Sequence, residues 1–341
     1  METTMIDEKG KEAWDRYVRQ HPGSIAWQSY DWYSVLRKHY AVTFLPLAVT
    51  NGTGLRGVLP LYRIGPSRGK NVLISVPYAV AGGILADDAE AERLLVEKAV
   101  ALAGEYGSRG ITLKQYKRKV AGDFRDDDAF YNRELDIGRD LAQVWQDIDD
   151  RNKHQVDEAR NYPLVLTHPM SDINLFYKLL LQHHHRKGVP CVSRNWIEDL
   201  INFDLYSAAV LLLNGRPVAG TLVKEFKDTV SFPFSCIARD DEQHRMFAYD
   251  LYWKLIARFN AKGTRICHSG RIPANNDVEP YRLGWGGTPY GYHYQYYPGG
   301  STVRSESSKK GRKRELFESL WRRLPLGIAE LIGPAVVRRF P

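Results

Sequence analysis

One order of elements occurs twice along this chain, and it limits the folds open to it. In the first half a helical stretch, Lys11–Tyr40, is broken at Pro22-Gly23. Trp14, Tyr17 and Val18 share one helical face there, and Trp32, Val35, Leu36 and Tyr40 another. Two apolar runs follow, Phe44–Val49 and Leu55–Ile64, separated by Asn51-Gly52-Thr53-Gly54. Asn-Gly between apolar runs marks a hairpin, because both residues tolerate positive φ. A strand over Asn71–Val76, a helix over Asp87–Gly107 and a strand over Ile111–Tyr116 complete the set. In the second half Leu175–Arg186 predicts a helix closed by Gly188, and Leu205–Leu213 and Pro217–Phe226 predict strands joined by Asn214-Gly215. Thr229–Ile237 predicts a third strand, Asp240–Ala261 a helix closed at Gly263, and Arg265–His268 the last strand. Alternating elements are common in α/β chains, but Asn-Gly turns at matching places are harder to obtain by chance. Hairpins mixed with single long crossovers predict an α/β (α+β) chain of tandem duplicated units. Each unit holds a mixed, largely antiparallel sheet flanked by helices. The expected divisions are residues 1–165, 166–303 and a tail, 304–341.

Composition excludes several classes. A hydrophobic share of 43% over 341 residues is that of a globular protein with room for two domains. No apolar run reaches the ~18–20 residues of a membrane span. The polar start METTMIDEKGKEAWDRY predicts no secretory leader. Cys191, Cys236 and Cys267 are odd in number and lack CxxC spacing, which fits a reducing cytoplasm better than a disulfide scaffold. From Arg304 to Pro341 ten Lys or Arg face four Glu, so +6 of the net +8 belongs to the tail. The charge balance does not demand a basic nucleic-acid surface on the body, and DNA is not an expected partner. The absence of GxGxxG and GxxxxGK[ST] removes the main support for dinucleotide and P-loop readings.

The chemistry-bearing residues gather after the last strand. Cys267-His268-Ser269-Gly270-Arg271 leaves the strand for a polar loop, Pro273–Asp277, then Tyr281-Arg282-Leu283-Gly284-Trp285-Gly286-Gly287 and an aromatic run to Tyr297. Arg271 and Arg282 suit a phosphate or carboxylate. The alternative is that they pair with Asp277 and Glu279. Glycines at 284, 286 and 287 would let backbone approach a ligand closely. His183-His184-His185 does not share one helical face, so a metal site is not expected there or elsewhere. That triplet reads as a polar helix end with cations near its negative pole. Lys114–Lys119, with Tyr116, reads as a solvated strand end, with an RNA contact as the alternative, and Asp126-Asp127-Asp128 as an exposed loop.

In these residues the chain resembles FemAB-like proteins of the GNAT acyltransferase superfamily. Ser269-Gly270-Arg271, Tyr281-Arg282-Leu283-Gly284-Trp285-Gly286 and Tyr292-His293-Tyr294 are similar to that family's late motifs. Gln28-Ser29-Tyr30-Asp31-Trp32, Gly57-Val58-Leu59-Pro60-Leu61, Ser75-Val76-Pro77-Tyr78 through Gly82-Gly83, and Arg151-Asn152-Lys153 to Ala159-Arg160 are similar to its earlier ones. The order of these weak motifs carries the match over roughly residues 10–300. Arg282 stands where the family has Lys, and Ile272 where it has Ser. An arginine cannot act as a neutral amine, so Arg282 keeps only an electrostatic role. The resemblance implies tandem GNAT-like units and transfer of an acyl or aminoacyl group to an amine, or to form an ester, on a cell-envelope or exopolysaccharide precursor. It points to the branch associated with exopolysaccharide and protein-sorting gene sets. The donor is aminoacyl-tRNA or acyl-CoA, with no tightly bound cofactor. The precursor is linked to a sugar or a peptide. Attack needs a neutral amine and a polarised carbonyl. His268 and Asp277, with Glu279 as a further proton acceptor, and Arg282 are the catalytic candidates. A structural histidine is the alternative for His268. Tyr78, Lys153, Arg160, Arg271 and Trp285 are the binding candidates. The first half suits an acceptor, and the second carries the chemistry. Arg239–Arg245, opening the long second-half helix, offers three acids and no glycine, which argues against ordinary acetyl-CoA use. The rival class is a non-catalytic GNAT-like protein that holds a polymer or a lipid-linked intermediate.

The tail begins as a polar basic linker, Ser307–Arg314. It leads to Leu316, Phe317, Leu320, Trp321 and Leu324, interleaved with Arg322 and Arg323. Two readings stay open. It binds the inner membrane peripherally, or it docks on the body or a partner chain.

Overall fold

The computed structural model describes residues 1–65, 71–274, 283–297 and 312–339. The chain divides into two compact units, one of residues 1–131 with 290–307 and one of residues 132–289 with 308–340. In chain order the elements begin with β1 (Glu2–Met5), α1 (Lys11–Gln20), α2 (Tyr30–His39), β2 (Val42–Thr50), β3 (Leu55–Ile64), β4 (Val72–Ser75), β5 (Leu85–Ala86), α3 (Ala89–Glu105) and β6 (Ile111–Tyr116). Next is β7 (Arg125–Asp136), within which the division between the units falls. Then come α4 (Leu141–Gln146), α5 (Asp150–Ala159), β8 (Leu164–Thr167), α6 (Ile173–Lys187), α7 (Arg194–Asn202), β9 (Ser207–Leu213), β10 (Arg216–Phe226), β11 (Thr229–Ser231) and β12 (Cys236–Ile237). The chain ends with α8 (Glu242–Ala261), β13 (Ile266–His268), β14 (Ile272–Pro273), β15 (Thr288–Tyr296), α9 (Arg312–Arg323) and α10 (Leu326–Val337).

The first unit is built on the path β1-β2-β3-β4-β6-β15. Its pairs are antiparallel except β4 with β6, where Leu73 faces Ile111 and Ile74 faces Thr112 in parallel. Parallel pairing needs a long crossover, and α3 supplies it. Between β2 and β3 the Asn51 carboxamide oxygen accepts from the Thr53 amide and hydroxyl and from the Gly54 amide. Gly52 takes φ +84° in that turn. Leu47, Leu59 and Leu61 of the sheet pack against Leu95 of α3, all with no exposed surface. Removing one such side chain from water stabilises the fold by ~1.5–3 kcal/mol. The expected aromatic run becomes β15, whose Tyr292, Tyr294 and Tyr296 turn inward with Ala81 and Phe130.

The second unit repeats this plan along β8-β9-β10-β11-β13, with β7 paired to β13. All pairs are antiparallel except β11 with β13. Helix α8 is the crossover, and its Phe247, Leu255, Ile256 and Phe259 meet Ala209, Leu211, Val223 and Val230. The β9–β10 turn puts Asn214 at φ +50° and Gly215 at φ +75°, the geometry Asn-Gly favours. Both halves therefore carry hairpin, strand, crossover helix and parallel strand, which is the duplicated mixed sheet the sequence predicts.

The structure corrects four local expectations. Thr229–Ile237 is not one strand, because Pro233 lacks an amide donor and Phe234 sits at φ +59°. Asp126–Asp128 is not a loop. It opens β7, with Asp126 and Asp128 both 2.8 Å from the Lys119 ammonium. Lys114 is buried, with its amine 3.2 Å from the Ala79 carbonyl. Two of the three histidines are not cations of their helix end, whose last turn also carries Arg186 and Lys187. Burial lowers His183 to about 4 and lowers His184 as well, so both rings are neutral at pH 7. Their partners also diverge: Ile237 N–H donates to His183, His184 lies by the Pro190 carbonyl, and His185 lies by the Leu324 carbonyl.

Candidate functional site

The second unit brings polar groups together where β13 ends. His268 closes β13 and lies opposite Glu134 of β7 in antiparallel register. Opposed residues on paired strands point to the same face, so the imidazole and the carboxylate meet. Their closest atoms, His268 Nε2 and Glu134 Oε1, are 3.9 Å apart, and the side chains are 16% and 11% exposed. At that separation the two are in contact without a hydrogen bond.

Asn132, two residues before Glu134 on the same strand face, fixes the ring. Its carboxamide oxygen accepts from the Gly270 amide at 3.0 Å and from the Ser269 hydroxyl at 3.4 Å. The amide nitrogen therefore faces His268 Nδ1, at 2.8 Å. A donor at that position needs Nδ1 to be an acceptor. The tautomer inferred from this network keeps the ring proton on Nε2, pointing at Glu134. Ser269 completes the mesh by accepting from the Arg133 amide at 2.9 Å.

Arg133 points to the other side of β7 and straps down the Gly-rich turn. Its Nε donates to the Gly286 carbonyl at 2.7 Å, and an Nη donates to the Gly287 carbonyl at 2.6 Å. Gly286 and Gly287 take φ +79° and +85°. A Cβ on Gly287 would stand 2.7 Å from the Glu134 carbonyl oxygen, and one on Gly284 would overlap the Asp149 carboxylate. What approaches these glycines is the chain's own backbone and Asp149, which caps α5 by accepting from Asn152 N–H. The turn is a structural clasp, and this corrects the expectation of a ligand at its glycines.

The other candidates are dispersed. Trp285 is 2% exposed in the core, its ring 4.6 Å from that of Tyr252. Arg271 is half-buried in the turn between β13 and β14, three residues from His268. Lys153, on α5, donates to the Gln146 carbonyl at 3.1 Å, and Arg160 lies over the Trp145 ring and 2.7 Å from Asp157. Tyr78 belongs to the first unit, at φ +59° and stacked on Tyr40 with ring centroids 3.9 Å apart. Asp277, Glu279 and Arg282 lie outside the described residues. Asn132, Arg133 and Glu134 escape the sequence reading. Their one signal is a weak period-2 pattern after Phe130, obscured by the acidic run before it.

The crossover helices carry closed N-termini. Asp241 caps α8 by accepting from the His244 amide at 2.8 Å, and its carboxylate also contacts the His244 ring. Asp240 beside it is held by Lys187 and Arg245, and hydrogen bonds first from Arg245 and then from Lys187 lower it to about 2. Asp88 caps α3 through the Ala91 amide and pairs with Arg56. These carboxylates fill the positions where a phosphate would need free amides and positive potential. Among the described residues no group of three or more His, Cys, Asp or Glu is placed to hold a metal ion.

The sequence matches no protein-family model and no curated protein. The fold does match solved structures. FemX shares 11% identity at a TM-score of 0.68 over 86% of this chain and 97% of that one. L-PGS from Bacillus licheniformis shares 12% at 0.59 over 94% and 98%. A tandem GNAT protein from the clavulanic acid biosynthesis pathway shares 11% at 0.55 over 88% and 99%. The chain therefore has the tandem GNAT fold, of the Fem-like kind.

Proposed function

We propose that this chain is an aminoacyl or acyl transferase that joins an activated acyl group to an amine of a cell-envelope or exopolysaccharide precursor. The observation that carries the reading is the His268–Asn132–Glu134 constellation at the end of β13. A carboxylate held against an imidazole whose tautomer is fixed is suited to take a proton from an attacking amine. In this reading Glu134 accepts the amine proton as the N–C bond forms. The proton then passes to the leaving oxygen or sulfur as the C–O or C–S bond breaks. His268 keeps its Nε2 proton and orients the carboxylate, so its role shifts from proton acceptor to positioning residue. Arg271 and Arg282 bind the donor's anionic part and stabilise charge on the carbonyl oxygen, with Asp277 as a second polar contributor. Lys153, Arg160 and Tyr78 bind the acceptor, and Trp285 supports the site from the core.

Between the two donor classes, the acid-capped α8 favours aminoacyl-tRNA over acyl-CoA, because a coenzyme pyrophosphate would meet Asp240, Asp241 and Glu242. The place of action is the cytoplasm, at the inner face of the inner membrane. A non-catalytic protein holding a polymer or lipid-linked intermediate is the second reading, and the same closed helix ends favour it.

The test is transfer itself. The purified chain is incubated with aminoacyl-tRNA or acyl-CoA and with nucleotide- and lipid-linked envelope precursors, and the products are analysed by mass spectrometry. The expected result is an acceptor heavier by one aminoacyl residue, formed about 100-fold more slowly by Glu134→Gln. No product from either donor class favours the holding protein. Wild-type turnover in Glu134→Gln removes the dyad.

A further inference from the structure

The C-terminal helices fold in an unusual sense, with the helix pair docked by one stripe and apolar on the opposite one. In α9 the docked stripe is Glu318 and Trp321, 8% and 4% exposed. The Glu318 backbone passes so close to Gly188, at the end of α6, that no Cβ fits there. His185 of α6 contacts the Leu324 carbonyl at 2.8 Å. In α10 the docked stripe is Ala329 and Gly333, and a Cβ on Gly333 would stand 2.8 Å from the Cys191 carbonyl oxygen. One open reading of the tail is thereby answered: it packs on its own body.

Packing leaves the other face unaccounted for. Leu316, Phe317 and Leu320 of α9 are 62%, 41% and 55% exposed, and Ile328, Leu331 and Ile332 of α10 are 46%, 79% and 37% exposed. At 100° per residue Leu316 and Leu320 fall within about 40° of one another, and Ile328, Leu331 and Ile332 within about 100°, centred about 130° from Ala329 and Gly333. A surface helix normally turns such residues inward. The exposed charges around them are Arg314, Arg322, Arg323, Arg338 and Arg339, against Glu315 and Glu330. Arg323 borders the Leu316–Leu320 stripe on the wheel, and Arg338 and Arg339 close the apolar face of α10.

We propose that the outer faces of α9 and α10 are a docking surface for an anionic lipid bilayer. Leucine, isoleucine and phenylalanine enter the boundary between headgroups and acyl chains, while the arginines lie at the phosphates. The charge decides between occupants. A second copy of this chain would bring one basic rim against another, whereas an anionic bilayer is complementary. Among the described residues no helix is long and apolar enough to cross a membrane, so this contact lies on the surface. The proposal concerns a surface and stands independently of the transferase reading.

The full-length chain is sedimented with vesicles of phosphatidylcholine alone and of phosphatidylcholine with 30% phosphatidylglycerol, a probe composition of roughly one anionic lipid in three. Leu320→Asp/Leu331→Asp and Arg322→Glu/Arg323→Glu are compared with the wild type, and unchanged melting temperatures confirm that these exposed substitutions leave the fold intact. The expected result is binding to the anionic vesicles only, weakened about tenfold or more by either double substitution and by raised salt. No vesicle binding, or equal binding to both vesicles, overturns the proposal. So does a dimer in size-exclusion chromatography that Leu320→Asp/Leu331→Asp dissociates, since a second copy then covers this face.

Discussion

Lys224 supplies a prediction whose size and sign both follow from its position. The residue sits near the end of β10 with 4% of its surface exposed, its amine 3.4 Å from the Leu205 carbonyl and 4.3 Å from the centre of the Tyr206 ring. Burial lowers it from 10.5 to about 7. Between those pH values the unfolded chain binds this proton and the folded chain does not, so stability rises with pH. The burden is greatest below pH 7 and disappears above 10.5. At about 1.4 kcal/mol per pH unit its full span is about 5 kcal/mol. Lys224→Met keeps the length of the side chain and removes the amine. The lost polar contacts offset about 1 kcal/mol of the gain. The variant is therefore more stable than the wild type by about 4 kcal/mol at pH 6, and the two agree within about 1 kcal/mol at pH 10. Urea unfolding of both chains at pH 6, 8 and 10 measures the difference, in which every other titrating group cancels. A difference that does not change with pH refutes the claim that this amine is buried and sheds its proton in the fold.

Gly287→Ala is expected to destabilise the second unit by about 2–4 kcal/mol, read by thermal unfolding, because it adds a Cβ at positive φ against backbone. Asp241→Ala removes the α8 cap and costs about 1 kcal/mol. Its backbone bond from His244 lowers the Asp241 carboxyl below 3.8, so its contribution is present above that pH and fades in acid as the folded form protonates. The difference between variant and wild type should accordingly narrow as pH falls below 3.8. Cys191 and Cys267, each raised to about 12 by burial, and Cys236, raised by the same cause, should resist a thiol reagent at pH 8 until the chain is unfolded. Rapid native labelling of any of the three contradicts that burial.

The repeated plan was legible because it is written in short-range terms. Asn-Gly turns, helical faces and closing glycines act within a few residues, and β2–β3, β9–β10, α3 and α8 all stand where those signals put them. The glycines at 284–287 suggest an opening for a ligand because a glycine's freedom is local but its neighbour is not. Only the fold shows that Asp149 and the β7 backbone occupy that space.

The sequence by itself determined the hairpins, the crossover helices, the two-fold order and the position of His268 at a strand end. Tertiary structure decided what surrounds them. Strand β7 has an acidic start and little propensity of its own. It is a strand because its end pairs with β13, about 130 residues away, and that pairing sets Asn132 and Glu134 beside His268. A similar distance in sequence hides the docked stripe of α9, whose Glu318 meets Gly188. Backbone sterics and turn chemistry are fixed by adjacent residues, whereas burial, protonation and the outward face of a helix depend on what the rest of the chain packs against them.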